Sequence, residues 1–533
     1  MDIFHWLGYF ACSFNNAYKK TYQAARPGEH MQTMKKLFPG ALLALLLALT
    51  FALGGCGDDL NVTEEDVIKR TREEMALMAP MMDCQAGSIK ADLGNRGVIM
   101  ENVVMSMQAA PDMELRIAKI TSSGMDVPSY EGKPGDRTDI ESMVYEGIQI
   151  YMEGEKLADL AEYRIEGMSM AYRDLLQAMR DNQSLSPEQF TLKVAPYMSG
   201  YTAKKVSASG LKISQYEMVA SIDSMEARDL SLGAYGPAVV NNFKISERGR
   251  EIFSLAKSGY ASMELPKAYQ DMVMNPEQMF QVMFMLMEDP LRNLSPMSVK
   301  GFYLENLKVT PEGQPLVLDR ISGDFAIKDG SLTLTSDMKG LSLSQALLKS
   351  ERSMRILAEA AGGKDLLFDG VFNMDMAVAA NNERKTTLHS TLSDKNQGNA
   401  SLDMAFTELM HPDYGYYSDM LLHSLDLKVD DNGLVDVLLA FYATTEFGYY
   451  TEGYDSIRQE FLESLAYLNA EIPPALHDGL AKFVQLVKNG GKFRFAMNPA
   501  EPVDMDDVED ILRENPAALG CTFEYSAPST PKR

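Results

Sequence analysis

Two groups of tyrosines stand beside glycine and acidic residues at the ends of predicted strands, Tyr414, Tyr416 and Tyr417 in one and Tyr449, Tyr450 and Tyr454 in the other. A phenol joins apolar area to a hydrogen-bonding tip, so exposed clusters of this kind suit recognition of a partner protein or a sugar. Rings folded over a core would read the same way. Met75, Met78, Met81 and Met82 have a spacing at which soft thioethers take up copper(I), and equally that of packing residues in a chain with 37 methionines. His389, His411, His423 and His477 show no close ligand spacing and read as structural or surface residues. Asp394-Lys395-Asn396-Gln397-Gly398 begins like a calcium loop, but Ala405 stands where a bidentate glutamate is required, so a polar hairpin turn is the better reading. The chain has no Gly-x-Ser-x-Gly elbow, phosphate loop, dinucleotide glycine fingerprint or His-Glu-x-x-His pair. Neither a metal nor a cofactor is expected. Paired carboxylates for acid and base chemistry are compatible with a chain of 75 Asp+Glu, and their distances need a fold.

The elements that place these residues begin with an export signal. Lys35 and Lys36 precede an apolar run from Leu37 to Leu53, followed by Gly54, Gly55 and Cys56. A charged pair, an apolar stretch and a small-residue processing site are the parts of a signal peptide. Leu53-Gly54-Gly55-Cys56 resembles the lipobox of bacterial lipoproteins. That resemblance implies cleavage between Gly55 and Cys56 and acylation of the Cys56 thiol, with Asp58 and Asp59 just beyond. Each buried CH₂ of an acyl chain contributes about 0.8 kcal/mol, so several chains hold a protein on a bilayer without a spanning helix. The expected place is the bacterial cell envelope, periplasm-facing, with inner or outer membrane left open. Residues 1–30 precede the basic pair that should open a signal peptide, and Met31 and Met34 are better starts.

Removing residues 1–55 takes away five basic and two acidic residues and leaves 45 Lys+Arg against 73 Asp+Glu, a net charge of −28. Such a field repels nucleic acid and anionic headgroups. With Cys56 acylated, Cys84 and Cys521 are the thiols left in an oxidising compartment, and the expectation is a Cys84–Cys521 disulfide joining the first and last structured segments.

The chain divides into a signal region 1–55, a lipidated tether 56–63, a helical segment 64–96, a curved-sheet domain 97–440 with inserted helices, a helical region with a closing strand 441–525, and a polar tail 526–533. Thr63-Glu64-Glu65-Asp66 reads as a capped helix start, and the helix should run to about Ala79 before Pro80. Ser186-Pro187-Glu188-Gln189 and Asn275-Pro276-Glu277-Gln278 are similar starts, the second opening an apolar face of Met279, Met283 and Met287. Short apolar alternations then carry a recurring unit in which a small residue precedes two alternating apolar positions. It stands at Gly124, Gly147, Gly167, Gly210, Asp229, Asn306 and Gly340. Small residues inside strands mark bends, and a bend in strand after strand implies a curved sheet. Hairpins are predicted at Asp329-Gly330 and at Asp431-Asn432-Gly433. Further helices should cover 344–361, 451–488 with a break at Pro473-Pro474, and 504–515, before a strand at 521–525.

The fold class expected is α+β, with large twisted antiparallel sheets and amphipathic helices packed on one face. This style, over residues 97–440, resembles AsmA-type envelope proteins, which implies lipid handling along an open apolar sheet. The chain departs from that pattern in its lipobox, its short length and its many helices. The leading expectation is a non-enzymatic binding or scaffold lipoprotein, held to the bilayer through Cys56 and accommodating an apolar ligand. The alternatives are an accessory subunit that docks an envelope protein through its tyrosine loops, and a carboxylate-dependent hydrolase of envelope polymers.

Overall fold

Thr63 opens the described part of the chain with a reciprocal cap. Its hydroxyl accepts the Asp66 amide at 3.2 Å, and the Asp66 carboxylate accepts the Thr63 amide at 3.0 Å. Two of the orphan donors of a helix start are thereby satisfied, and helix α1 (Glu64–Leu77) follows. The computed structural model describes residues 63–108, 110–125, 134–215, 217–274, 290–310, 313–350, 354–379, 383–410, 417–447 and 453–528. The export signal, Cys56 and the 275–289 segment lie outside the described residues.

From Met82 the chain is a long antiparallel meander. Its strands and helices are β1 (Met82–Asp92), β2 (Gly97–Met107), β3 (Ala110–Ser123), β4 (Thr138–Met152), β5 (Glu155–Met170), α2 (Tyr172–Asp181), α3 (Pro187–Ser199), β6 (Ala203–Gln215) and β7 (Met218–Leu230). There follow β8 (Ala234–Tyr235), β9 (Ala238–Glu247), β10 (Arg250–Tyr260), β11 (Ser262–Glu264), α4 (Lys267–Met274), α5 (Pro290–Asn293), β12 (Met297–Val309), β13 (Leu316–Lys328) and β14 (Ser331–Leu343). Then come α6 (Gln345–Ser350), α7 (Arg355–Ala360), β15 (Leu366–Val378), β16 (Arg384–Asp394), β17 (Gly398–Met410), β18 (Tyr417–Asp431), α8 (Leu434–Phe447) and α9 (Tyr454–Glu471). The last are α10 (Pro474–Asn489), β19 (Gly491–Met497), β20 (Val503–Asp504), α11 (Val508–Glu514) and β21 (Thr522–Ser526). β8, β11 and β20 are short additions; the other strands pair successively, so that β1 and β21 form the two edges of one open sheet. The architecture is α+β with a curved antiparallel sheet, as expected.

The curvature has a backbone cause. By the register of the flanking pairs, Gly87, Asn102, Ala118, Gly147, Ala161, Gly210, Asp223, Asn242, Ala256, Asn306, Asp319, Gly340 and Asp369 fall opposite one another in a line across the sheet. Every second residue of that line, from Asn102 to Gly340, has a left-handed φ between 52° and 68°. Only glycine and asparagine fill those six places, the residues that adopt this region at least cost. A second line runs parallel, with left-handed Gly124, Gly167, Asp229 and Gly301. At each crease the alternation restarts, so that inward residues sit three apart instead of two: Met100 and Val103, Ile117 and Ile120, Tyr145 and Ile148, Ile165 and Met168 are all buried. All seven of the small residues singled out in the sequence are left-handed. Asn102, Asn242 and Gly301 begin the same unit and belong with them.

Several expected boundaries move. Residues 82–92 form β1 and are not part of a helical segment 64–96, because Met82 and its neighbours pair along β2. Asp431-Asn432-Gly433 is not a hairpin turn: the Asp431 carboxylate accepts the amides of Gly433 and Val435, each at 2.9 Å, and starts α8. A boundary at 440 would cut that helix. The 344–361 stretch shows two short helices, α6 and α7, and 504–515 reduces to α11. The Asp329-Gly330 hairpin is present, with both turn residues left-handed (φ 51° and 78°), the backbone of a type I′ loop. Ser186 caps α3 by accepting the Gln189 amide, and α9 and α10 part at Pro473-Pro474.

The Cys84–Cys521 bridge is not formed. Both thiols are free. A meander sends its two ends to opposite edges, so Cys84 packs with the cluster over β1–β6 and Cys521 with one at the β18–β19 end.

Candidate functional site

One row of residues runs directly opposite one another through all the long strands, on the face that the helices cover. In strand order it is Ile89, Met100, Ile120, Tyr145, Tyr163, Ala208, Met225, Val240, Ser258, Leu304, Ile321, Met338, Gly370, Leu392, Ala400, Val429, Phe493 and Tyr525. Directly paired residues of an antiparallel sheet project to the same side. The row is therefore a continuous uncharged floor from one sheet edge to the other. From β3 to β13 the two creases stand five or six residues apart along a strand, a width of about 17–20 Å at the usual rise.

The floor is covered unequally. Over β1–β6, Val67 and Met75 from α1 with Met78 at its C-cap, Leu175, Leu176 and Met179 from α2, and Phe190 and Val194 from α3 join the strand residues in one buried cluster. That cluster takes in residues from both sides of each crease, so the bent strips face one another across it. At the other end Leu486 of α10 is buried with Val429 and Phe493, while Leu519 is buried with Leu422 and Met497. A third group, on α6, α7, α8 and α9, covers Leu366. Between these ends β10 and β13 bury Leu255, Leu318 and Ile327, while the floor residues of β9, β10, β12 and β13 are half-buried. Their inward positions are nevertheless apolar. Phe243 and Phe253 pack at 5.3 Å between ring centroids, and Val240, Phe302, Leu304, Leu307, Ile321 and Phe325 are half-buried. Between the two creases the inward positions of these four strands include no charged residue; Glu247 and Arg250 come to this side only at the β9–β10 hairpin end.

The opposite face is polar and laced with cross-strand ion pairs, such as Lys119–Glu146 at 3.3 Å and Lys205–Glu226 at 3.1 Å. Arg494 on β19 grips Asp426 on β18 with two bonds, Nε to Oδ1 at 2.9 Å and Nη2 to Oδ2 at 3.0 Å. These bonds hold the Asp426 carboxyl below its ordinary pKa, with Lys428 adding to the effect.

The residues singled out for chemistry fall elsewhere. Tyr454 is buried in the core, donating its hydroxyl to Asp436, and Arg458 lies 3.3 Å from the same carboxylate. Burial first, and the Asp436 charge second, push the Tyr454 phenol far above its usual pKa. It is a core residue and not part of an exposed recognition patch. Tyr414, Tyr416, Tyr449 and Tyr450 lie outside the described residues, and Tyr417 opens β18. Met75, Met78 and Met82 are buried in the first cluster and Met81 packs against it, which is a packing role. His389 bonds Asp403 at 2.6 Å, His423 bonds Thr407 at 2.7 Å and His477 meets the Ile472 carbonyl at 3.1 Å, three separate places. His411 lies outside the described residues. Asp394 accepts the amides of Asn396 and Gln397 at 2.7 and 2.9 Å, closing the β16–β17 turn. Among the described residues no group of three His, Cys, Asp or Glu side chains is placed to hold a metal ion. Nor is any described helix long and apolar enough to cross a membrane.

Sequence reasoning found the creases and missed the floor. Its members stand two places before each left-handed residue of the first crease, as Met100, Tyr145, Ala208, Val240, Leu304 and Met338 do. Aligning the strands on their small residues would have exposed that column.

Residues 325–525 match a family model described only as "Uncharacterized protein". No curated protein and no solved structure matches the chain.

Proposed function

We propose that this chain is a lipoprotein of the bacterial envelope, anchored through acylated Cys56, that binds the apolar chains of lipids along the concave face of its sheet without catalysing a reaction. The observation that carries the reading is the uncharged floor left half-exposed over β9, β10, β12 and β13. A contiguous apolar surface on a protein with a strongly charged exterior marks a place of contact with another apolar body. The rest of the fold serves it: creases make the face concave, ion pairs keep the back in water, and the lipobox supplies the membrane.

The test is native mass spectrometry of the full chain extracted from membranes in detergent, followed by organic extraction. A lipid retained at fixed stoichiometry after detergent exchange, beyond the acyl groups on Cys56, supports the reading. A protein that stays empty when offered phospholipid vesicles refutes it, and peptide mapping in the same run reports whether Cys56 is acylated.

A further inference from the structure

We propose that the floor is a bounded compartment for acyl chains, entered from the side between two helix-covered ends, and not a channel open from one sheet edge to the other. The inference rests on the lipid-binding reading and adds where the chains lie and how they get in. The floor row itself is continuous from β1 to β21, so the strands alone would permit passage along its whole length. The helices forbid it. At one end Met100, Ile120 and Tyr145 are fully buried beneath α1, α2 and α3, with at most a trace of surface. At the other, Val429 and Phe493 are buried under α10. Seven floor residues, from Val240 to Leu392, are only half-buried. At the usual strand separation these seven span about 29 Å.

The occupant follows from the dimensions and the chemistry. One leaflet of a bilayer places its chains in roughly half of a ~30 Å hydrocarbon core, so a chain of that length fits across a floor about 17–20 Å wide between the creases. Between the creases the inward positions of β9, β10, β12 and β13 carry no charge, which leaves nothing there to meet a headgroup, so it stays at the rim in water. An enclosed tunnel would accept chains end-on, whereas an open span flanked by covered ends accepts them broadside.

The experiment uses the full-length native chain with phosphatidylcholine vesicles doped with a phosphatidylcholine that carries a diazirine on its acyl chain. After irradiation, peptide mapping locates the adducts. The expected result is labelling of inward residues on β9–β13, with yields at least tenfold lower on the covered floor of β2–β5 and β18–β19. Comparable labelling of Met100 or Tyr145 and of Val429 would overturn the bounded compartment and leave lipid binding intact. Absence of sheet adducts altogether would remove the lipid reading on which the inference stands.

Discussion

Gly210 stands at a crease, with φ +68°, and a Cβ built there would lie 2.8 Å from the Ala161 Cβ. A left-handed backbone costs a residue with a Cβ about 1–2 kcal/mol, and forcing extra atoms into a filled space costs about 1–3 kcal/mol. Replacement by valine, whose branched Cβ is least compatible with positive φ, combines both, for a loss of about 2–5 kcal/mol. Asparagine is a different case. Gly210 is flanked across the sheet by Ala161 and Asp223, while Asn242 is flanked by Asp223 and Ala256 and Asn306 by Ala256 and Asp319. The line already accommodates asparagine between an alanine and an aspartate, so Gly210→Asn should lose no more than about 1 kcal/mol. Alanine, smaller but without a side-chain amide to support the left-handed form, should fall between the two. The assay is amide hydrogen exchange over β5–β7 of the full chain, where a loss of 2 kcal/mol speeds exchange about 30-fold. Expected losses rise in the order asparagine, alanine, valine. A ranking by volume, with alanine mildest, would show that the creases make no conformational demand and refute the account of the curvature.

Two tyrosines should respond oppositely to loss of their hydroxyl. Tyr145 is fully buried and its hydroxyl has no hydrogen-bond partner among the described residues, so Tyr145→Phe should leave urea stability unchanged or raise it by about 1 kcal/mol. Tyr454→Phe deprives buried Asp436 of a donor and should lower stability by about 1–3 kcal/mol; equal effects of the two changes would sink the argument. Asp426 titrates below its unfolded value because of Arg494, so its contribution is present above that value, near pH 3.9, and is lost as pH falls through the folded pKa. Asp426→Asn should therefore be less stable than wild type by up to about 1 kcal/mol at neutral pH, with the gap closing in acid, and a gap that persists unchanged at pH 2 would contradict the linkage. Burial raises the Cys84 thiol to about 12, so thiol reagents at pH 8 should modify it slowly in the native state. In denaturant without reductant, peptide mapping should find Cys84 and Cys521 both labelled as free thiols, and protection of both would restore the disulfide.

How much could be read beforehand depends on how local the cause is. The caps of α1 and α3, the Asp329-Gly330 loop and the crease residues at Gly147, Gly210 and Gly340 follow from side chains acting on their own backbone, and the sequence by itself determined them. The α+β class and the curved sheet came from repetition of that local signal. Tertiary structure alone decided the rest. Asp431 precedes glycine as a hairpin aspartate would, yet its carboxylate was used to start a helix, because the next strand is supplied by β19, some sixty residues further on. Tyr454 reads like its exposed-looking companions until the packing of α9 against α8 buries it. Cys84 and Cys521 depended on which edge each end of the meander reaches, and the floor exists only once the strands are in register. A residue's own chemistry fixes its preferred backbone; which neighbours it meets across the sheet is set by the order in which the strands pair.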